Sequence, residues 1–496
     1  MDNYLIGIDI GTTGTKAMLF SDRGRILGHA YHAYSLNNPK VGYSEQNAED
    51  WWNAVQKTVR EVVSNVLNPA SVKAIAISSQ GGTLVPVDEM GRPLRSAIVW
   101  NDSRCRDEEN EFEREVGTKE YVYQTTGWKM NCSLPMLEIR WIKNHEPEVF
   151  ERTAKYLTVP DFISLKMTGK AVADIENAGI NQLFDIRENK YDKKLMNFTG
   201  VEIEQLPEVL YPGSVIGNLT DDAASALGLT AGTLLVAGAH DQYAAAVGGG
   251  VFNAGSIMIG SGTSWVITKI ENQPDFSRGL SQSVAVVPGM WGSISALSTG
   301  GVCLDWLRKK ILPAGGIGDP ISFTLLNQEI KKRHAAEDGL FFFPFSGRNM
   351  YGNNSGKGAF LGLDLCHDGF DMAAAVMEGV SFQVAWLLDD FHESRNVEKI
   401  CLSGGASRSR VWSQMLADIT GKEVEIPVVA DLACVGAAVI AGYGTGLFDS
   451  IQSGYRRLSI AGEIIAPNLE QTKRYQRVKH IYRRIADLLG QVNQCS

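Results

Sequence analysis

The chain has 496 residues, more than one domain of ordinary size requires. Its composition, 44% hydrophobic and 21% charged, is that of a globular protein with a sizeable core. The formal net charge of -9 excludes a broad nucleic-acid-binding surface, because such a surface is basic. It does not exclude a small phosphorylated ligand, since a local pocket can be positive on an acidic protein.

Neither membrane insertion nor secretion is indicated. No apolar stretch reaches the roughly 20 residues that a membrane-spanning helix needs, and the first residues show no signal-peptide pattern. The seven cysteines are scattered singly, without the spacing of a metal site or a disulfide framework. We therefore expect a cytoplasmic protein with reduced thiols and with neither nucleic-acid nor membrane partners.

The first motif, at residues 5–20, is a strand, a turn rich in glycine and threonine, and a returning strand. Gly11 and Gly14 permit a tight reversal with exposed main-chain N–H groups. The threonine hydroxyls and Lys16 add hydrogen-bond donors and a positive charge. Such a turn suits a phosphate, although these residues alone fit a plain glycine-rich hairpin equally well.

Asp9, at the end of the first strand, conflicts with a phosphate because two anions repel each other. The conflict disappears when a divalent cation lies between them. Mg²⁺ commonly joins one or two carboxylates to substrate phosphates and keeps several waters. The motif therefore predicts that Asp9 binds magnesium through a water molecule.

The following segments alternate between strands and helices. Strand patterns occupy residues 25–34 and 72–79, and apolar residues at helical spacing predict a helix over 48–67. Further helices are expected at 102–117 and 135–152. This order predicts an α/β fold with a mixed sheet.

A second half begins near residue 233. An apolar strand at 233–241 is followed by a glycine-rich crossing at 244–256. Residues 256–270 then repeat the strand, the Gly–Thr turn and the returning strand of the opening, without the aspartate. The repeat predicts a duplicated fold of two domains, 1–247 and 248–496, that face each other across a nucleotide.

The last part of the chain adds more helices. They are expected at 371–391, at 411–421 after a strand and glycine-rich turn at 399–410, and in a basic segment at about 468–490. Small residues over 434–446 permit close helix packing.

Four segments, in this order and spacing, resemble the FGGY carbohydrate kinases: residues 7–20, 238–251, 258–265 and 402–424. The resemblance covers essentially the whole chain and points to the xylulose-kinase-like branch. It implies two duplicated actin-like (ribonuclease H-like) domains, the fold shared with hexokinases and heat-shock ATPase chaperones. Mixed sheets flanked by helices would then bound an active site in the interdomain cleft. One position departs, because Glu138 stands where many members carry a lysine.

The same resemblance implies ATP as phosphoryl donor, Mg²⁺ as cofactor, a small sugar or polyol as substrate, and a homodimer. It makes Asp241 the catalytic base. An aspartate with an ordinary pKa of about 3.9 is ionised at neutral pH. Such a group can take the proton late, once the phosphorus–oxygen bond has begun to form. The residue alone also fits a helix cap, because Asp241 precedes a helix-forming run.

Nucleotide contacts are implied in both halves. They are Thr12, Thr13 and Lys16 in the first turn, Gly262 and Thr263 in the second, Gly301 and Asp305 after it, and Gly404, Gly405, Ala406 and Ser409 on the adenosine side. Gly301 is expected where the main chain passes close to the nucleotide, and Gly404 to Ala406 where a side chain would obstruct the purine. Ser409 stands where some relatives carry an amide. Each glycine taken singly is equally an ordinary turn residue.

The acceptor side is predicted to comprise Gln80, Trp100, Asn101, Asp241 and Gln242. Gln80 is followed by Gly81 and Gly82, where glycerol kinases carry arginine and glutamate and xylulose kinases carry methionine and histidine. Together with Ser133 in place of a tyrosine, the two glycines argue against glycerol. They predict a pocket open to a longer or differently oriented acceptor. Trp100 fits either stacking on a sugar or core packing.

The sequence thus predicts an ATP-dependent kinase for a primary hydroxyl of a small ketose, such as a pentulose, or of a polyol. A sugar-acid kinase of the gluconate type stays open, although no motif supplies the cation that such an acceptor would want. A non-catalytic regulator that responds to sugar or nucleotide is the third possibility, and the presence of Asp241 argues against it.

Overall fold

The computed structural model describes residues 2–313, 319–345, 357–391 and 394–493, with side chains up to residue 489. The chain forms two compact units. The first comprises Met1–Phe252, Ile270–Ser293 and Asp431–Ile460, and the second comprises Asn253–Lys269, Ile294–Ala430 and Ala461–Ser496. Each unit is therefore assembled from separate chain segments, whereas the division predicted from the sequence, 1–247 and 248–496, uses two continuous ones.

The strands before residue 250 are β1 (Tyr4–Ile10), β2 (Gly14–Ser21), β3 (Ile26–Ala33), β4 (Glu45–Gln46), β5 (Val72–Ser79), β6 (Leu84–Val87), β7 (Ala97–Ile98), β8 (Lys155–Thr158), β9 (Val172–Asp174), β10 (Phe184–Asp185), β11 (Lys190–Tyr191), β12 (Glu208–Leu210), β13 (Val215–Asn218) and β14 (Leu234–His240). The later strands are β15 (Ser256–Ser261), β16 (Trp265–Glu271), β17 (Ser281–Val284), β18 (Trp291–Leu297), β19 (Phe341–Phe343), β20 (Ala359–Leu361), β21 (Lys399–Gly404), β22 (Glu423–Ile426) and β23 (Glu463–Ile465).

The helices before residue 250 are α1 (Ala48–Val63), α2 (Arg106–Glu115), α3 (Lys119–Thr126), α4 (Pro135–His145), α5 (Pro147–Arg152), α6 (Val159–Thr168), α7 (Ile175–Ile180), α8 (Lys193–Thr199), α9 (Asp221–Leu227) and α10 (Asp241–Gly248). The later helices are α11 (Gly301–Trp306), α12 (Phe323–Ile330), α13 (Gly369–Leu388), α14 (Arg410–Thr420), α15 (Leu432–Gly444), α16 (Ile451–Leu458) and α17 (Leu469–Asn493).

Several predicted helices differ from the observed ones in their bounds, and the helix expected over 102–117 begins only at Arg106 of α2. The single helix expected over 135–152 is divided into α4 and α5, because Pro147 has no N–H to continue the first helix and disfavours helical geometry at the residue before it. The helix expected over 48–67 ends at Val63, and Asn68 and Pro69 then begin a short 3₁₀ turn.

The main sheet of the first unit has the strand order β13-β14-β5-β1-β2-β3. The neighbours β1 and β2 are antiparallel, whereas β1, β5 and β14 run parallel to one another. The predicted mixed sheet is thus confirmed. Because the carboxyl ends of parallel strands meet at one edge, the residues that follow β1, β5 and β14 lie together there.

Helices cover this sheet on both faces. On one face, Trp51 of α1 and Phe162 of α6 pack with Ile6 and Ile8 in one buried cluster. On the other, α15 approaches so closely that a Cβ on Gly7 of β1 would lie 1.9 Å from a main-chain oxygen of α15. A Cβ on Gly436 would lie equally close to the main chain of α10, so the small residues predicted to permit close packing do so here.

The second unit repeats the arrangement. Strand β15 pairs antiparallel with β16 and parallel with β21, and β21 pairs parallel with β22. The order β16-β15-β21-β22 therefore matches β2-β1-β5-β14 of the first unit, which confirms the predicted duplication. Gly260 occupies the position in β15 that Asp9 occupies in β1, two residues before the turn glycine.

Buried polar groups also occur in the second unit. Glu378 of α13 accepts hydrogen bonds from Tyr475 Oη at 2.7 Å and from the main-chain N–H of Ala336 at 2.8 Å. The cysteines of the described part of the chain are all free, as predicted, and Cys495 lies outside the described residues. No described helix combines the length and apolar character needed to cross a bilayer.

Candidate active site

One edge of the first unit's sheet gathers most of the predicted acceptor and phosphate residues. The turn at 11–13 follows β1, Gln80 follows β5, and Asp241 follows β14. The register pairs Asp9 with Ser78 across the parallel neighbours and with Lys16 across the hairpin. The fold therefore brings together residues that are far apart in the sequence.

Asp9 is a half-buried carboxylate whose Oδ1 accepts a hydrogen bond from Ser78 Oγ at 3.0 Å. Burial and the charge of Asp241 raise the pKa of Asp9 to about 6, although Lys16 and Ser78 act in the opposite direction. The negative charge of Asp241 contributes to the raised pKa of Asp9, because two carboxylates repel each other. A cation bound at Asp9 would offset that repulsion.

These residues fit a magnesium ion held mainly by its substrate. Within the described residues, no group of three or more His, Cys, Asp or Glu side chains has the arrangement of a protein metal cage. Mg²⁺ on a nucleotide usually needs only one or two carboxylates, with phosphates and waters as its other ligands. Asp9 is the carboxylate that would hold it, and the ion would neutralise phosphate charge.

The turn at 11–13 directs its carbonyl groups towards the protein. Tyr34 Oη donates to the carbonyl of Gly11, and Tyr31 Oη donates to the carbonyl of Thr13 at 3.2 Å. Among the described residues, nothing accepts a hydrogen bond from the main-chain N–H of Thr12 or Thr13. Two donors are thereby left for an anion, as the phosphate interpretation requires.

Lys16 has a partner that the sequence did not indicate. Its Nζ lies 2.7 Å from Asp431 Oδ1, and His29 Nε2 lies 2.8 Å from the other oxygen of the same carboxylate. The hydrogen bond and charge of Asp431 outweigh the effect of burial and raise the pKa of Lys16. Lys16 is therefore a fixed cation at the start of β2, near Asp9.

Thr12 links the phosphate turn to the predicted acceptor residues. Its Oγ1 donates to Gln80 Oε1 at 3.0 Å and accepts from Trp100 Nε1 at 2.9 Å. Gln46, which the sequence did not single out, binds both the carbonyl of Thr12 and the amide of Gln80. Trp100 is 47% exposed, so the core-packing alternative for this residue is wrong.

The glycine pair after Gln80 does not open the pocket in the way the sequence suggested. A Cβ on Gly81 would lie 2.6 Å from Ile180 Cδ1 and 2.8 Å from His240 Cδ2, so this space is already filled. Gly82 has a φ of +71°, which favours glycine whatever the ligand. Ile180 of α7 and His240 of β14 thus occupy the space that a side chain at position 81 would need.

Asp241 is the first residue of α10, and its side chain remains 31% exposed. His240 Nε2 lies 3.2 Å from Asp241 Oδ1, so this histidine contacts the predicted base directly. Gln242 follows in the same helical turn and is half-buried, and Asn101 is exposed beside Trp100.

A cavity of about 400 Å³ lies in the second unit, between the turns that follow β15 and β21. Most of the nucleotide-contact residues predicted for this half line it: Gly262, Thr263, Gly301, Asp305, Gly405, Ala406 and Ser409. The other lining residues, which were not predicted, are the apolar Val302, Leu304, Phe323, Met377 and Trp412 and the polar Ser261, Asn327 and Arg408. A mostly apolar cavity beside main-chain turns suits a flat base such as adenine.

Two of the glycines owe their identity to the protein itself. Gly404 does not line the cavity, and it has a φ of +88° with a Cβ position 2.6 Å from the carbonyl oxygen of Ser261. A Cβ on Gly301 would lie 2.5 Å from the carbonyl oxygen of Gly262. The main-chain contacts of the turns, rather than the nucleotide, exclude side chains at these two positions.

Ser409, expected where relatives carry an amide, caps α14 by accepting the N–H of Trp412 at 3.1 Å. Its hydroxyl also donates to Asn327 Oδ1 at 2.6 Å. Asn327 of α12 therefore supplies an amide at this wall of the cavity from a different part of the chain.

The repeated strand order, the two Gly–Thr turns, the carboxylates of the first unit and the base-sized cavity of the second define a nucleotide-dependent phosphotransferase. Comparison with known families agrees. The model of the FGGY family of carbohydrate kinases, N-terminal domain, matches residues 4–248, and that of the C-terminal domain matches residues 257–445. The chain belongs to the FGGY family of carbohydrate kinases, and its phosphoryl donor is ATP.

The similar proteins include members of the predicted branch. A xylulose kinase from Bacillus subtilis (strain 168) is 27% identical, over 97% of this chain and 96% of that protein. A gluconokinase from Bacillus licheniformis is also 27% identical, over 97% of this chain and 95% of that protein. The crystal structure of xylulose kinase from Rhodospirillum rubrum superposes with a TM-score of 0.88 at 25% identity, covering 99% of this chain and 100% of that one.

Proposed function

We propose that this kinase transfers the γ-phosphoryl group of Mg·ATP to a primary hydroxyl of a small ketose, such as a pentulose, or of a polyol. The observation that carries the proposal is the shared sheet edge. There the partly exposed Asp241 carboxylate lies near Asp9 and in the same unit as the open N–H groups of Thr12 and Thr13. An acid–base group and a phosphate cradle are the two parts that phosphoryl transfer requires.

In this mechanism the acceptor oxygen forms a bond to the γ-phosphorus while the bond to the β,γ-bridging oxygen breaks. The proton of the hydroxyl passes to the carboxylate of Asp241 late in this step. Lys16 and the N–H groups at 12 and 13 stabilise charge on the phosphate oxygens. Asp9 would hold Mg²⁺, which would supply positive charge to neutralise the phosphates. Asp241 thus aims the oxygen and removes its proton.

On the acceptor side, Gln80, Trp100, Asn101 and Gln242 are proposed to bind hydroxyl groups. The Thr12 hydrogen bonds support this role for Gln80 and Trp100, since they fix both side chains beside the phosphate turn. Trp100 is exposed enough to stack on the carbon face of a sugar. None of these four side chains is charged, which suits a neutral polyhydroxy acceptor.

The second candidate is a sugar-acid kinase of the gluconate type. The similarity to gluconokinases, at the same 27% identity as to a xylulose kinase, favours keeping it. The carboxylate of a sugar acid would favour a cation in the acceptor site, and none of the proposed acceptor-side residues is a cation. A non-catalytic regulator is the weaker alternative, and it would need no base at Asp241.

The test is ADP release with Mg·ATP and D-xylulose, L-xylulose, D-ribulose, xylitol, glycerol or D-gluconate. Asp241→Ala should lower kcat by about 10²- to 10⁴-fold, the usual contribution of a general base. Asp221→Ala is the matched control, because Asp221 is also the first residue of a helix, α9, and is exposed. Unchanged activity in Asp241→Ala would reject the assigned base, and preference for D-gluconate would favour the second candidate.

We also propose that the protein forms a homodimer, that it is cytoplasmic, and that the boundary between its two domains lies near residue 247. Light scattering of the purified chain and fractionation of cells that express it would test the first two.

A further inference from the structure

The main chain just before the proposed base is held by a buried carboxyl group. Glu176 Oε2 accepts a hydrogen bond from the main-chain N–H of His240 at 3.0 Å. His240 is the last residue of β14 and the cap position of α10, so Asp241 follows it directly. The position of Glu176 therefore fixes the point at which strand becomes helix.

Glu176 is itself rigidly placed. It lies in α7, whose first turn is capped by Asp174, which accepts the main-chain N–H and the side-chain amide of Asn177. The side chain of Glu176 is fully buried, and among the described residues its Oε1 has no hydrogen-bond partner. Burial and the nearby Asp174 raise the pKa of Glu176 well above its ordinary value.

The side chain of His240 in turn contacts the carboxylate of Asp241. Its Nε2 lies 3.2 Å from Asp241 Oδ1, while its Nδ1 is buried and has no partner among the described residues. A buried lone pair without a partner costs less than a buried N–H without one, so the proton is assigned to Nε2. The protonated ring nitrogen then lies against one oxygen of Asp241 and leaves the other for the acceptor.

Aromatic neighbours limit the movement of the imidazole. The rings of Trp128 and Tyr243 each lie 6.0 Å from the His240 ring in edge-on contact. With its main chain on Glu176 and its ring between these two, His240 has little freedom to release Asp241.

Stability alone is a poor reason for this arrangement. Burying a carboxyl is costly unless its polar atoms are paired, and Glu176 pairs only one of its two oxygens. The carboxyl does, however, hold the N–H of His240, the residue directly before the proposed base.

We propose that Glu176 is a positioning residue for phosphoryl transfer: its carboxyl fixes His240, and His240 orients the carboxylate of Asp241 towards the acceptor hydroxyl. The proposal rests on the proposed function, because it needs Asp241 to be the base. A displacement of about 1 Å at a reacting group is enough to cost about 10²-fold in rate.

The test compares Glu176→Leu with Glu176→Gln in the full-length enzyme. Leucine removes the acceptor for the His240 N–H, whereas glutamine keeps a neutral oxygen at the same place. Glu378→Leu and Glu378→Gln are the matched controls, since Glu378 is also buried and also accepts a main-chain N–H, from Ala336. Activity is measured with D-xylulose, xylitol and D-gluconate, using the probe with the highest wild-type turnover, and is normalised to the folded fraction.

Glu176→Leu is expected to lower kcat about 10- to 100-fold, whereas the acceptor KM and the ATP Kd should change less than about threefold. Glu176→Gln should keep kcat within about threefold of the wild-type value. Neither Glu378 variant should change kcat per folded enzyme. Wild-type kcat in Glu176→Leu, with Asp241→Ala inactive, would overturn the inference and leave the proposed function intact. Activity in Asp241→Ala, or no turnover of any probe by the wild type, would instead reject the proposed function and remove the basis of the inference.

A second variant covers the case in which Glu176→Leu does not fold. His240→Phe keeps a ring between Trp128 and Tyr243 but removes Nε2. It should lower kcat about tenfold at unchanged ATP Kd, because Asp241 loses the contact with Nε2 that orients its carboxylate. Unchanged kcat in His240→Phe would also overturn the inference.

Discussion

The ammonium group of Lys16 lies 2.7 Å from Asp431 Oδ1 and joins the opening hairpin to the residue that caps α15. The two residues are far apart in the chain, yet both belong to the first unit. In the proposed mechanism, Lys16 meets phosphate from this tethered position. The pair therefore offers a way to test whether Asp431 acts through the lysine.

Lys16→Met should reduce kcat/KM for ATP about 10- to 100-fold, as expected for one hydrogen bond from a charged group. Asp431→Ala should reduce it in the same direction by a smaller factor, because the lysine remains but loses its anchor. The double variant should be no worse than Lys16→Met alone. Steady-state kinetics with ATP as the varied substrate measures this, and multiplicative losses would show that the two residues act independently.

The hydroxyl of Thr12 should matter for the acceptor. Thr12→Val removes the hydrogen bonds to Gln80 and Trp100, each worth about 0.5–1.5 kcal/mol, so kcat/KM for the acceptor should fall roughly 5- to 150-fold. Thr12→Ser keeps the hydroxyl and is expected to stay near wild type. Thr13→Val serves as the contrast, since Thr13 is expected to contact only the nucleotide. An acceptor KM that moves equally in both valine variants would contradict the assignment.

Gly81→Ala should destabilise the first unit. The new methyl group would lie 2.6 Å from Ile180 Cδ1, which must move. Overpacking of this kind costs about 1–3 kcal/mol, and Ile180→Val in the same chain should recover part of it. Gly232→Ala is the control, because its Cβ would meet no atom closer than 3.7 Å. Thermal unfolding measures the melting temperature of each variant, and equal melting temperatures for the two alanine variants would refute the prediction.

Gly405→Leu should block nucleotide binding by filling the cavity of the second unit. The Cβ itself fits, at 3.4 Å from the carbonyl oxygen of Ser261, so the fold should tolerate the change. The ATP Kd, measured by calorimetry without acceptor, is expected to rise at least about tenfold, since a base excluded from its pocket loses more than 1.4 kcal/mol. An unchanged Kd would place the nucleotide elsewhere.

Glu378 should make the second unit less stable as the pH rises. Burial raises its pKa to about 8, although Tyr475 and the N–H of Ala336 lower it. Between its ordinary pKa and about 8, the folded state holds the proton that the unfolded state has released. The contribution of Glu378 to the free energy of unfolding is therefore full at low pH. It falls by up to about 1.4 kcal/mol per pH unit as the pH rises from the ordinary pKa of a glutamate to about 8. Urea unfolding of Glu378→Gln from pH 5 to 8 should lack this slope, whereas the exposed Glu329→Gln should retain it.

Short-range patterns predicted much of the fold. The hairpin around Gly11 and its counterpart around Gly262 were read correctly, because a tight turn depends on a few consecutive residues. Helix boundaries were less accurate where two elements met, as at Pro147. The repeated strand–turn–strand pattern predicted the duplication, and the family resemblance, which rested on the same local segments, supplied the ATP-dependent kinase class.

What only the tertiary structure decided is which residues face these segments. Ser78 and Asp431 contact Asp9 and Lys16, Asn327 contacts Ser409, and Ile180 fills the space beside Gly81. Glu176 reaches the main chain before Asp241 in the same way. No local pattern marks such partners, since parallel strands and their helices join segments that are distant in the chain. The sequence by itself therefore determined the turns and carboxylates that carry the chemistry, and the packing of the sheet edge decided how each of them is held.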